Sequence, residues 1–189
     1  MLKEPAERVR FASVEEEAAI FAALPPHYHA AVRFAVLSGL RANELRGMRW
    51  TDLDWHGLTL TVRGKGGKVA SIPLSAAMIE ILAPMRPKDA IGTPVWQNMS
   101  GEPMTYRSLS AAFVKACSKA GVVGLRLHDL RHTAATRLLR STGNLKLVSR
   151  LLRHSDVSTT AKYAHVVDDD LREAMNAMGP QKVPSQGPS

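Results

Sequence analysis

Residues 125–165 read LRLHDLRHTAATRLLRSTGNLKLVSRLLRHSDVSTTAKYAH and set imidazoles, a guanidinium and a phenol in a fixed order. On a helix, His128 and Arg131 are three apart and share a face, with His132 beside His128 at i+4. Leu130, Ala134 and Leu138 give that helix a core-facing stripe, and Gly143 suits its end. Leu145, Val148, Leu151 and Leu152 predict a further helix, after which His154 precedes the polar turn Ser155-Asp156-Val157-Ser158. Tyr163 follows about two helical turns later. A base, a fork-shaped cation and a nucleophile thus share one helical region, which is the candidate site.

The flanking segments read as support. Upstream, Thr105 is an N-cap for a helix whose Leu109, Phe113, Ala116, Cys117 and Ala120 form a buried stripe ending at Gly121. Leu58-Thr59-Leu60-Thr61-Val62 alternates, Gly64-Lys65-Gly66-Gly67 supplies turn chemistry, and Val69 to Leu74 returns, which predicts a β-hairpin with Lys65 at its tip. Ser75 starts a helix that Pro84 and Pro87 end, and residues 90–103 read as a loop with a short strand at Val95 to Gln97. At the start of the chain, Ser13-Val14-Glu15-Glu16 is a capping box, and Pro25-Pro26 stops the helix it opens. A helix over 28–38 ends at Gly39, a residue suited to a left-handed terminus, so Arg41 emerges just past it with Glu44 one turn on. Asp168-Asp169-Asp170 suits a helix N-terminus, continued by Leu171, Ala174, Met175 and Met178, and the Gly/Pro/Gln/Ser composition beyond Gly179 predicts disorder.

At 189 residues and 45% hydrophobic content, the chain suits one soluble domain with a sizeable core. Its formal charge of +8 points to a polyanionic partner, and residues 101–167 alone hold eleven Lys or Arg against three Asp or Glu. The excess therefore gathers around the candidate site. Cys117 is the single cysteine, which excludes an internal disulfide and fits a reducing cytoplasm. No apolar run reaches the roughly 20 residues that span a bilayer, and the acidic N-terminus lacks a signal peptide's layout, so no membrane role is expected.

The pattern His128-x-x-Arg131, His154 and Tyr163, with Arg41 upstream in Ser38-Gly39-Leu40-Arg41-Ala42-Asn43-Glu44-Leu45 and Lys65 on a hairpin between, resembles the tyrosine recombinases, or phage integrases. The resemblance runs from about Val9 to Val167 and covers the six places where that family keeps its active-site groups. It implies an α+β, mostly helical catalytic domain with a small antiparallel sheet over 1–167, followed by a C-terminal helix and disordered tail over 168–189. The helical DNA-gripping domain that usually precedes it is expected to be absent. Where the family commonly has Leu-Gly-His, this chain has Leu152-Arg153-His154, so the local backbone differs or Arg153 adds a phosphate contact. Ala134 stands where the family commonly has Phe in HDLRHTFAT.

The chemistry follows from the substrate. A phosphodiester carries charge on its non-bridging oxygens, so an enzyme without metal needs cations that follow this charge into the transition state. Planar guanidinium forks match phosphate, and Arg41 and Arg131 come from separate segments able to hold opposite edges, with His154 adding a hydrogen bond. Tyrosine, with a reference pKa of about 10, needs a base, for which His128 is the candidate. Lys65 is the candidate general acid for the leaving 5′ oxygen, and Glu44 is a supporting residue. In the family this yields a 3′-phosphotyrosyl link, rejoined without ATP or metal. The expected partners are double-stranded DNA and further protomers on it, with a monomer away from DNA, and no cofactor. The alternatives are a type IB topoisomerase-like relaxing enzyme or a non-cleaving DNA-binding module. His128-Asp129-Leu130-Arg131-His132 also resembles the HExxH zinc helix, but Arg131 would set a cation between the ligands and Asp is shorter than the usual base.

Overall fold

The computed structural model of the chain describes residues 9–64, 67–89, 92–154 and 157–177. Helices α1 (Val14–Ala23), α2 (His29–Ser38) and α3 (Ala42–Arg46) precede strands β1 (Leu53–Asp54), β2 (Thr59–Arg63) and β3 (Val69–Pro73). Then come α4 (Ala76–Leu82), α5 (Tyr106–Lys119), α6 (Asp129–Thr142) and α7 (Leu145–Leu152), a 3-10 segment at Val157–Tyr163, and α8 (Ala164–Ala177). The architecture is the expected one, mostly helical with a small antiparallel sheet. No helix among the described residues is long and apolar enough to cross a membrane.

Local chemistry sets the helix ends. Ser13 Oγ accepts from the Glu16 amide at 3.1 Å while the Glu16 carboxylate accepts from the Ser13 amide at 3.0 Å, closing the capping box. Ser75 and Thr105 cap α4 and α5, and Asn144 accepts from the amides of Lys146 and Leu147 at the start of α7. Gly39 closes α2 at φ 59° and Gly143 closes α6 at φ 64°. Gly39 is the more constrained, because an added Cβ would lie 3.4 Å from both Leu151 Cγ and Leu152 Cδ2. Gly39→Ala is therefore expected to lower stability by about 1–2 kcal/mol, read as a shifted urea midpoint, since a left-handed residue with a Cβ costs roughly that much. An unshifted midpoint would show that this turn relaxes freely.

The sheet runs β1-β2-β3, and the β2/β3 register pairs Leu60 with Ile72 and Val62 with Ala70, turning Leu60, Val62 and Ile72 to the core. The hairpin is as expected; β1 is an addition, because two residues are too short to show alternation. The loop after α4 forms isolated bridges at Arg49–Pro94 and Gln97–Pro103 in place of a strand.

Two clusters divide the interior. The larger joins α1 to α5 and the sheet and includes Cys117, whose thiol burial pushes up, as a core residue would show. The smaller consists of Val9, Ala135, Leu139, Val148, Leu152 and Tyr163, which ties the 3-10 segment to α6 and α7. On α6, Leu130 and Ala134 of the predicted stripe are buried, while Leu138 is only partly buried and Leu139 fully so. Arg131, Thr133 and Thr136 also turn inward, so a polar set shares the buried face. The C-terminal helix starts at Ala164, not at the acidic run, and Asp170 instead binds Arg140 at 2.6 Å. Met178 and the tail beyond it lie outside the described residues.

Candidate active site

Arg131 is where three segments meet. It is 4% exposed, and its guanidinium donates to the Gly39 carbonyl at 2.6 Å and to the Leu152 carbonyl. These acceptors are helix-terminal carbonyls of α2 and α7, left without intrahelical partners, so one planar fork links the ends of two helices to α6. Burial, followed by the charges of Arg41 and Arg153, lowers Arg131 to about 10, which leaves it cationic at neutral pH.

Arg41 sits between the end of α2 and the start of α3, its side chain 48% exposed. Glu44 accepts from the Arg41 amide at 2.8 Å and from its Nη1 at 3.0 Å. The same carboxylate takes Arg153 Nη2 at 2.6 Å. Glu44 is held below the usual carboxylate range even though burial acts first and upward, because the Arg41 amide and the two guanidiniums together outweigh it. Arg153 is thus held in a largely buried ion pair, and it occupies the left-handed region at φ 53° that a glycine would fill without strain.

Arg41, Arg63, Lys68, Tyr106, His128 and Arg153 line a cleft of about 960 Å³. Lys65 lies outside the described residues; its hairpin neighbours Gly64 and Lys68 border this cleft. His128 caps α6 at the cleft, and burial and then Arg131 lower its pKa. His154 Nδ1 lies 3.0 Å from the buried Thr160 hydroxyl, and burial followed by Arg131 and Arg41 brings the imidazole down to about 4.

Tyr163 differs from the sequence reading in its partner. Its hydroxyl is 2.6 Å from His132 Nδ1, whereas His128 was the base candidate. Burial raises the phenol to about 12 against the opposing charge of Arg131, and burial, Lys162 and His128 lower His132 to about 4. Both groups are therefore neutral at neutral pH, the phenol keeping its proton beside an uncharged ring. His132 and His128 meet edge to face at 5.3 Å, and no group of three or more His, Cys, Asp or Glu suited to a metal stands together among the described residues. His132 is the residue that sequence reasoning passed over. Its spacing from His128 suggested a partner on the same helix, while the real partner is 31 residues downstream.

The neutral imidazoles predict a pH profile. With folded values near 4 against about 6.5 unfolded, His132 and His154 bind protons in the unfolded chain first, so stability is full above about 6.5 and falls as pH drops toward 4. The melting temperature should thus decrease from pH 7 to pH 5, and His154→Gln should flatten that slope. A slope unchanged by the substitution would remove His154 from the account.

The family model of the phage integrase family matches residues 10–170. The chain belongs to the phage integrase family. Its curated relatives include tyrosine recombinase XerC of Xanthomonas campestris pv. campestris (strain B100), 33% identical over 148 residues that make up 76% of this chain and 46% of the relative. Tyrosine recombinase XerC of Staphylococcus saprophyticus is 34% identical over 142 residues, 72% of this chain and 48% of the relative. The chain thus spans about half the length of the curated relatives it matches. Among solved structures, XerA recombinase superposes with a TM-score of 0.70 at 23% identity, covering 94% of this chain and 68% of that one, a likeness of fold. Within the family frame, Arg41, the α6 pair His128 and Arg131, and His154 come from three separate segments, yet the charges of Arg41 and Arg131 act on both imidazoles and Arg41 acts on Arg131.

Proposed function

We propose that this chain is the catalytic domain of a site-specific DNA recombinase that cleaves a strand with Tyr163, holds it as a 3′-phosphotyrosyl link and rejoins it. The observation that carries this reading is that the charges of Arg41 and Arg131 converge on His128 and His154, while Arg131 also acts on Tyr163. Arg41 and Arg131 clamp the non-bridging oxygens and His154 adds a hydrogen bond. His128 takes the phenolic proton once Tyr163 leaves His132, and Lys65 protonates the leaving 5′ oxygen. Glu44 supports Arg41. Side-chain cations do the electrostatic work, so the reaction needs neither metal nor nucleotide. The partners are double-stranded DNA and further copies of the chain on it, with a monomer away from DNA.

XerH site-specific recombinase, bound to palindromic difH substrate in a post-cleavage complex, matches with a TM-score of 0.71 at 23% identity over 92% of this chain and 54% of that chain. The test is to incubate the chain at low salt with a pool of nicked duplexes, which trap the cleaved strand. The expected result is a protein–DNA adduct that survives denaturant and chelator. No adduct with any duplex would overturn the proposal. Relaxation of supercoils with no preference for a site would replace site-specific recombination with topoisomerase-like action.

A further inference from the structure

Arg153 is one of two described non-glycine residues with positive φ, at 53°, where an L side chain is strained. Its guanidinium donates from Nη1 to the Leu151 carbonyl at 2.8 Å and from Nη2 to Glu44 Oε2 at 2.6 Å, and its side chain is only 10% exposed. Glu44, 6% exposed, lies 109 positions away and also holds Arg41. The strained backbone at the end of α7 is therefore retained together with a buried ion pair to the segment that carries the exposed arginine.

The charges make the relation specific. Arg41 and Glu44 alone sum to zero, and a phosphate reaching the cleft competes with that carboxylate for Arg41 Nη1. Without another cation, losing Arg41 would strand a buried carboxylate, the costly outcome for any buried pair that loses one member. With Arg153 on Oε2, Glu44 stays paired when Arg41 turns away. On the recombinase reading proposed above, we infer that Arg153 is a positioning residue that neutralises Glu44 and so leaves Arg41 a full positive charge for the scissile phosphate. Arg153 itself need not touch the DNA.

The experiment compares single-turnover cleavage of a nicked duplex bearing either a natural phosphate or a neutral methylphosphonate at the scissile position. Arg153→Gly is expected to fold, since glycine suits the left-handed turn, and to slow cleavage of the phosphate by about 10- to 100-fold, less than the loss of a direct donor. The methylphosphonate, with no charge for Arg41 to meet, should be slowed far less. In a Glu44→Gln background, where no carboxylate needs neutralising, Arg153→Gly should add nothing. Arg153→Lys should keep most of the wild-type rate. If melting shows that Arg153→Gly does not fold, Arg153→Gln is compared in its place. Equal slowing of both substrates, an undiminished effect in the Glu44→Gln background, or a wild-type rate for the variant would each overturn the inference. Failure of the wild-type chain to form any adduct would instead overturn the recombinase reading, which separates the two.

Discussion

Tyr163→Phe is expected to form no denaturant-resistant adduct with nicked DNA while binding the same duplex as well as the wild type. The substitution deletes one oxygen and keeps the ring that packs with Ala135, Leu139, Val148 and Leu152. No cation in the cleft changes, so the electrostatic part of DNA affinity is untouched. The substitution also leaves His132 Nδ1 without its 2.6 Å partner, an orphaned half-buried ring nitrogen whose desolvation costs about 1–3 kcal/mol. A modest loss of thermal stability should therefore accompany the complete loss of adduct. The informative control is Tyr106, a phenol that does line the cleft and is 49% exposed. An adduct that persists in Tyr163→Phe and maps to Tyr106 would move the nucleophile to α5 and overturn the assignment.

Arg131→Ala should fail in two measurements at once. Its fork ties the carbonyls of Gly39 and Leu152 to α6 from a 4% exposed position. Removing it orphans both buried acceptors, at about 1–3 kcal/mol each, so the denaturant midpoint should drop sharply. Cleavage should fall by about 10²–10³ beyond any loss of folded protein, the usual consequence of removing one donor to a developing oxyanion. Arg131→Lys should recover part of the stability, because one ammonium reaches one carbonyl better than two, and little of the rate, because a point charge lacks the planar fork. Wild-type stability in Arg131→Ala would show that other donors replace the guanidinium. Wild-type cleavage rates would remove Arg131 from phosphate binding.

Much of this was legible in the sequence where the determinant is local. The Ser13–Glu16 capping box, the Gly39 and Gly143 helix ends and the hairpin each depend on residues within one or two turns, and each is found as expected. The six residues Arg41, Lys65, His128, Arg131, His154 and Tyr163 were picked out by their resemblance to the family's pattern, and the chemistry a phosphodiester demands gives each a proposed role. The contacts between segments were not legible. Arg131 reaching Gly39, 92 positions away, and Arg153 reaching Glu44, 109 positions away, follow from how α2, α6 and α7 pack. The same packing gives Tyr163 to His132. Asp168 to Asp170 suggested a helix start by dipole logic, yet the chain passes straight from the 3-10 segment into α8 at Ala164, and Asp170 serves Arg140.

The burial of Tyr163 has a consequence for populations. A phenol that is 1% exposed cannot be touched by DNA until its ring leaves the cluster of α6 and α7. Uncovering such a ring costs about 1.5–3 kcal/mol in apolar burial, and giving up its hydrogen bond costs about 0.5–1.5 kcal/mol more. A gap of about 2–4.5 kcal/mol corresponds to a ratio of roughly 30 to 2,000 between hidden and presented forms. On the recombinase reading proposed above, nearly every copy away from DNA carries a sheathed nucleophile that is inert toward stray phosphates. The apparent affinity of the cleaving form for DNA is reduced by the same ratio, and a duplex must offer enough differential contact to the presented form to offset it.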